Sequence, residues 1–310
     1  MKKNKIIPAL LAMTLGVSLL TGCGASGNTE NTGSTGGQSD TKATVIRMGS
    51  KDFTENEVVA EIYALALEDA GYTVERKFDI SSSVIHQSIT SDEIDIYPEY
   101  TGTGLISILG EAPLTDADEV YETVKSAYAE QFELTWLDYA AANDGQGIFI
   151  SRKLSDELGI TTLSDLQANA SQVRFASQGE FDEREDGIPG LEKVYGPFDW
   201  ASSKVYDNGL KYSVVENDEA DAAPAYTTEG QLSQTDKFVL LEDDKHVWPP
   251  YNLAPVVQNE VLEAEPEIAD ILNSVSATLD TAVVTQLNAR VDVEKEEYED
   301  VAADYYESIR

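Results

Sequence analysis

The chain has one cysteine, Cys23, and two histidines, His86 and His246. A single thiol forms no intramolecular disulfide and gives a histidine no Cys partner for zinc. Neither histidine stands in an HExxH pattern, and no Gly-x-Ser-x-Gly elbow is present, so zinc and serine hydrolase signatures are both missing. His86 reads as a helix residue with a structural hydrogen bond. Basic residues are also scarce, with 21 Lys and Arg against 57 Asp and Glu, for a formal charge of −36. No basic stripe offsets this excess, which repels phosphate backbones and argues against nucleic acid as a partner. The same field enriches cations near the protein, which suits a cationic ligand.

Long apolar runs are confined to the beginning. Lys2, Lys3 and Lys5 precede an apolar stretch from Ile6 to Leu20, which runs into Leu20-Thr21-Gly22-Cys23. The stretch is about 15 residues long, short of the roughly 20 that span a bilayer as a helix. Residues 1–22 are therefore expected to be a lipoprotein signal peptide, cleaved and lipidated at Cys23. That expectation puts the protein outside the cytoplasm, lipid-anchored to the outer face of the cytoplasmic membrane, and commits its only thiol to lipid rather than catalysis. Residues 23–44, rich in Gly, Ser, Thr and Asn, read as a flexible tether. Gly22-Cys23-Gly24-Ala25-Ser26-Gly27 fits the dinucleotide fingerprint by letter only, because no strand precedes it and no helix follows.

From Val45 onward, strand and helix signals alternate. Thr44–Met48 reads as a strand, Gly49–Phe53 as a loop, and Glu55–Ala70 as a helix with Val58, Val59, Ile62, Ala66 and Leu67 at helical spacing, stopped by Gly71. Val74–Ile80 is a second strand, Ser81-Ser82-Ser83 an N-cap cluster for a helix over Val84–Thr90, and Ile94–Tyr97 a third strand. This order implies a mainly parallel sheet in an α/β fold. A second set follows Ala140, with strands at Gly147–Ser151, Val173–Ala176 and Ala220–Ala223 and helices at Leu163–Ala168 and Gly190–Tyr195. Pro249-Pro250-Tyr251 interrupts any helix, and helical patterns return over Glu260–Leu279, Ala282–Ala289 and from Val293 on. The expected organisation is one lobe from residues 45–141 plus 248–310 and a second from 142–247. Two crossovers would then make a hinge and an interlobe cleft.

Asp182–Gly187 resembles the start of a calcium loop, but Arg184 takes the third ligand position and Lys193 the twelfth, where a bidentate carboxylate is needed. No metal or cofactor is expected. A surface hydrolase using paired carboxylates is the competing class, although no such pair stands out in the sequence. A ligand-sensing module on a signalling protein is a third.

Four segments carry a resemblance: Gly49–Glu55, Ile94–Thr103, Glu180–Leu191 and Leu241–Pro255. In order and spacing they are similar to the substrate-binding proteins of osmoprotectant ABC importers for glycine betaine, choline, carnitine and related quaternary amines. The resemblance implies a type II-like, two-lobed periplasmic-binding-protein fold. It also implies a monomer without catalytic role that delivers its ligand to ABC permease subunits. A trimethylammonium group has no N–H to donate and is held by aromatic faces, each worth roughly 0.5–2 kcal/mol. The resemblance suggests Tyr100, Tyr226 and Tyr251 as cage walls, with Tyr97 a fourth wall or a support. Lys51, Thr103 and Arg184 would hold a ligand carboxylate, Glu180 would orient Arg184, and Asp95 and Glu99 would order loops. Relatives carry Asn-Asn-Thr-Tyr-Ala-Leu where this chain has Asn143–Ile148, so Gln146 takes the place of a cage tyrosine. Tyr139 could swing in, the gap could admit a bulkier head group, or the Gln146 amide could hydrogen-bond a more polar zwitterion with an imidazole-type ring, such as ergothioneine.

Overall fold

The computed structural model describes residues 44–183 and 186–310, with the backbone alone at Glu180. Cys23, the signal segment, the tether up to residue 43 and Arg184 lie outside the described residues. Among those described, ten strands form two five-stranded sheets. In chain order they are β1 (Val45–Lys51), β2 (Thr73–Ile80), β3 (Ile96–Tyr100), β4 (Leu134–Trp136), β5 (Gln146–Ser151), β6 (Arg174–Ser177), β7 (Ser202–Val205), β8 (Ala222–Tyr226), β9 (Phe238–Leu240) and β10 (Leu253–Gln258). The first sheet has the order β2-β1-β3-β10-β4 and the second β7-β6-β8-β5-β9.

The strand–helix–strand units run parallel as expected, β1 pairing with β2 and β3, and β6 with β7 and β8. Antiparallel pairs arise where the chain changes sheets. β10 returns from the second sheet to lie between β3 and β4, antiparallel to both, and β5 enters the second sheet antiparallel to β8 and β9. The α/β fold is thus two mixed sheets. The connections over residues 137–145 and 241–252 run side by side, bridged at Asn143 and Asn252. Ala142 packs into the core of the first sheet, and Trp248 into that of the second.

The helix expected after β1 spans Thr54–Asp69, and Gly71 follows it at φ 94°, a left-handed conformation that a side chain would resist. Three expectations need correction. β1 continues through Lys51 by means of a register shift between Gly49 and Lys51, so the expected loop is shorter. The helix over Ile85–Thr90 is not capped by a Ser81–Ser83 side chain, since the Ser81 carbonyl accepts the Val84 and Ile85 N–H groups instead. The pattern over Glu260–Leu279 is two helices, Asn259–Ala264 and Glu267–Ser276, because Pro266 disfavours the helical conformation at Glu265.

Each sheet is covered on both faces. On the first, helix Thr54–Asp69 packs with Glu267–Ser276, Thr281–Asp292 and Tyr298–Ile309 against one side, while Tyr97, Tyr128 and Trp136 fill the other. Fully buried side chains such as Ile62 and Leu67 each contribute about 1.5–3 kcal/mol. This packing fixes the end of the sheet from which the site is built.

Candidate ligand-binding site

Ligands of α/β sheets sit beyond the carboxyl ends of the parallel strands. Here β1 ends in Lys51 and is followed by Phe53 and Glu55, and β3 ends in Tyr100 and is followed by Thr103. β10 starts opposite Tyr100, through the pair Leu253–Tyr100, which brings Tyr251 to the same edge. From the second sheet come Gln146, the first residue of β5, and Tyr226, the last of β8, which are register partners. The crossovers supply Asp144, whose N–H donates to the Tyr251 carbonyl at 3.0 Å. Lys51, Phe53, Glu55, Tyr100, Thr103, Asp144, Gln146, Tyr226 and Tyr251 line one cavity of about 520 Å³, together with Thr228, Glu229, Asn288 and Asp292.

The cavity has aromatic faces from both sheets. Phe53 and Tyr100 stack with ring centroids 6.1 Å apart. The Tyr251 ring lies against Gly102, where a Cβ would come within 2.7 Å of it, so the small residue between Thr101 and Thr103 seats this wall. Tyr226 stands on the second sheet with 42% of its surface exposed.

Its charge is mainly negative. Glu55 is buried and accepts hydrogen bonds from the Tyr100 hydroxyl and the Asn288 amide, both at 2.9 Å. Asp144 accepts one from the Thr228 hydroxyl at 2.7 Å. Burial raises the pKa of Glu55, against the opposing hydrogen bonds of Asn288 and Tyr100 and the charge of Lys51. Burial also raises Asp144 well above the usual range, and the Glu55 charge adds to it. Glu229 is held by Lys211 and Tyr212, and Asp292 accepts from the Thr54 hydroxyl at 2.7 Å.

Among the described residues Lys51 is the cation in the wall, and its ammonium is already paired with Glu99 and lies 4.9 Å from the centre of the Tyr100 ring. Glu99 also accepts from the Tyr100 N–H at 2.8 Å and the Tyr97 hydroxyl at 3.1 Å. It therefore ties β1 to β3, as Asp95 does by bonding the Arg47 side chain and N–H. The ammonium has two further N–H groups beyond the one given to Glu99.

Of the residues expected at the site, Lys51, Tyr100, Thr103, Gln146, Tyr226 and Tyr251 meet in the cavity, and Tyr97 does not. Strand alternation turns Tyr97 to the opposite face of the sheet from Tyr100, where it is fully buried and supports Glu99. Tyr139 does not line this cavity. Its ring meets Tyr121 edge-on at 5.0 Å and its hydroxyl donates to Asp118, a bond that, with burial, pushes its pKa up to about 12. The expected hydrogen bond of His86 is also missing among the described residues, for Nδ1 has no partner and the ring packs against Tyr128 and Phe132.

Sequence reasoning passed over Phe53, Glu55, Asp144, Thr228 and Asn288. Phe53 and Glu55 stood inside the Gly49–Glu55 segment, and Asp144 inside the segment that departs at Gln146. Asn288 had no local signal, because only the packing of helix Thr281–Asp292 brings it to the cavity. No helix of the described residues is long and apolar enough to cross a membrane.

Comparison with known proteins agrees with this architecture. The chain is 33% identical over 274 residues to a glycine-betaine-binding protein of Pseudomonas aeruginosa, covering 85% of this chain and 88% of that one. It is 33% identical over 276 residues to the glycine betaine-binding protein YehZ of Escherichia coli, covering 85% and 90%. The solved structure of apo YehZ superimposes with a TM-score of 0.75 over 86% of this chain and 99% of that one. An ergothioneine transport permease/ergothioneine binding protein, EgtU of Helicobacter pylori, is 31% identical over 264 residues, 84% of this chain. This chain spans only 47% of that longer protein. Residues 44–308 match the family described as the substrate binding domain of ABC-type glycine betaine transport systems, and the chain belongs to that family.

Proposed function

We propose that the protein captures a quaternary-ammonium solute such as glycine betaine, choline or carnitine outside the cytoplasm and delivers it to an ABC permease. The observation that carries this reading is the cavity itself, where Phe53, Tyr100, Tyr226 and Tyr251 offer aromatic faces beside Glu55 and Asp144. Aromatic faces and carboxylates both attract a cation that has no N–H to donate. A ligand carboxylate would be held by Thr103, by the remaining N–H groups of Lys51 and, on the family resemblance, by Arg184. Residues 45–141 with 248–310 and residues 142–247 act as two lobes that close about the paired crossovers. In this reading the protein is a monomer, performs no catalysis, and is anchored by lipid at Cys23 as the signal sequence implies.

A second reading has its own support. The Gln146 amide lines the cavity where an aromatic ring was expected, and a polar wall suits a zwitterion with ring N–H groups such as ergothioneine. Isothermal titration against glycine betaine, proline betaine, carnitine, choline and ergothioneine tests both. Saturable binding of a betaine or choline supports the first, and selective binding of ergothioneine the second. Silence across the panel overturns the quaternary-ammonium assignment.

A further inference from the structure

Glu55 and Asp144 are linked in a way that a simple aromatic cage does not require. The Thr228 hydroxyl donates its hydrogen to Asp144 at 2.7 Å, which leaves it none to give to Glu55 in the same cavity. A hydroxyl has one hydrogen, so it serves one carboxylate as donor and can meet the second only as an acceptor. The Asn288 amide completes the link, giving its two hydrogens to Glu55 Oε2 at 2.9 Å and to the Thr228 carbonyl at 2.8 Å. Those two acceptors fix the orientation of the amide. Asn288 Oδ1 is thereby left as an acceptor without partner among the described residues, on a side chain only 4% exposed that lines the cavity. This wall presents acceptors, and two anionic carboxylates in one cavity, Glu55 buried and Asp144 half-buried, destabilise each other.

We propose that Glu55 and Asp144, which line one cavity and are joined by way of Thr228 and Asn288, hold one proton between them in the ligand-free protein, and release it to solvent when the positive end of a ligand enters the cavity. This inference rests on the cationic-ligand reading above and adds a mechanism of selection to it. Without ligand the pair carries one negative charge. With the cation in place both carboxylates are ionised, and the departed proton is replaced by the charge of the ligand. The surroundings favour this exchange. Lys51 from β1 is the cation that faces the pair, and its charge is taken up by Glu99 from β3. Glu229 faces Asp144 and is itself occupied by Lys211. Asp292 lies on helix Thr281–Asp292 in the same cavity, and the Tyr100 hydroxyl stays protonated because burial and Glu55 raise its pKa. An arriving cation is thus the group able to stabilise a second negative charge here. By linkage, the proton must weaken the cation as much as the cation weakens the proton.

Two measurements decide this. Infrared spectra of the ligand-free protein at neutral pH should contain the carbonyl stretch of a protonated carboxyl, absent from Glu55→Gln and from Asp144→Asn. Both substitutions keep the side-chain shape. Titration with choline and with glycine betaine in phosphate and in Tris should give heats that differ by the ionisation of about one buffer molecule per ligand bound. The variants should give buffer-independent heats. Choline affinity of the wild type should fall about tenfold per pH unit below the pKa of the pair. A spectrum without the carboxyl band overturns the shared proton, and buffer-independent heats in the wild type overturn its release. If neither ligand binds while the band is present and lost in the variants, the quaternary-ammonium reading fails and the shared proton stands.

Discussion

Replacing Tyr226 with Ala separates ligand recognition from folding. The side chain is 42% exposed on the last residue of β8, so its removal opens no core cavity. Substitutions at such exposed sites cost at most about 0.5 kcal/mol, which for a chain of this size is a shift of about 1–2 °C in Tm. The ligand loses one aromatic face, worth roughly 0.5–2 kcal/mol according to how fully the closed site excludes water. At about 1.4 kcal/mol per tenfold change, Kd should rise between about 2-fold and 30-fold. Tyr226→Phe keeps the face and should remain within about 2-fold of the wild type. Calorimetric titration with glycine betaine or choline, alongside thermal unfolding of each variant, measures both quantities. An unchanged Kd for the Ala variant would remove Tyr226 from the cage. A large fall in Tm with proportional loss of binding would show that it is a structural residue instead.

Other perturbations have equally definite outcomes. Arg184→Ala should weaken glycine betaine far more than choline, which has no carboxylate, and equal losses by calorimetry would exclude the anion-holding role. Glu99→Gln leaves the buried Lys51 ammonium without its partner and should cost about 3–5 kcal/mol in denaturant unfolding, so a loss under about 1 kcal/mol would refute the ion pair's importance. Glu55 and Asp144 have raised pKa values in the folded state, so the folded protein binds protons more tightly there than the unfolded chain does. Their contribution is complete below the ordinary carboxylate range and is lost as pH rises through the raised values, so ligand-free Tm should decline over that interval. Glu55→Gln should flatten that decline, and parallel Tm profiles for variant and wild type would contradict it.

The order of elements was legible because local signals carried it. The spacing of Val58, Val59, Ile62, Ala66 and Leu67, closed by Gly71, defined the helix after β1 within a residue or two. The strand–helix alternation defined the parallel pairs. What the sequence could not display is the result of distant packing. β10 lies between β3 and β4 only after the chain has completed the other sheet, and the Asn288 amide reaches Glu55 across 233 positions of sequence. For Tyr97 the sequence left a wall and a support both open, and the parity of the strand separates them. Tyr97 and Tyr100 are both aromatic residues of one strand, but a separation of three places them on opposite faces, and a resemblance between segments does not by itself apply that parity. Phe53 was overlooked because a phenylalanine after a charged loop looks like an ordinary core residue, until the strand ends bring it onto Tyr100.

The overall charge of −36 and the acids of the cavity act on different lengths. A surface field decays over a Debye length of about 8 Å at physiological ionic strength and about 3 Å at 1 M salt. Glu55, by contrast, is buried against Tyr100 and Asn288, and a buried charge is screened much less. Surface charge therefore acts chiefly on the rate at which a cation arrives, and added salt removes that help. The cavity acids and aromatic faces act on how long it stays, and they are screened much less. The sequestration of Lys51 by Glu99 serves the same end. A free ammonium in the wall would oppose the cation, whereas the ion pair leaves Glu55 and Asp144 to set the sign of the site. Dissociation should accordingly be nearly independent of salt while association slows as salt rises, and that division of labour locates specificity in the buried wall rather than in the composition of the surface.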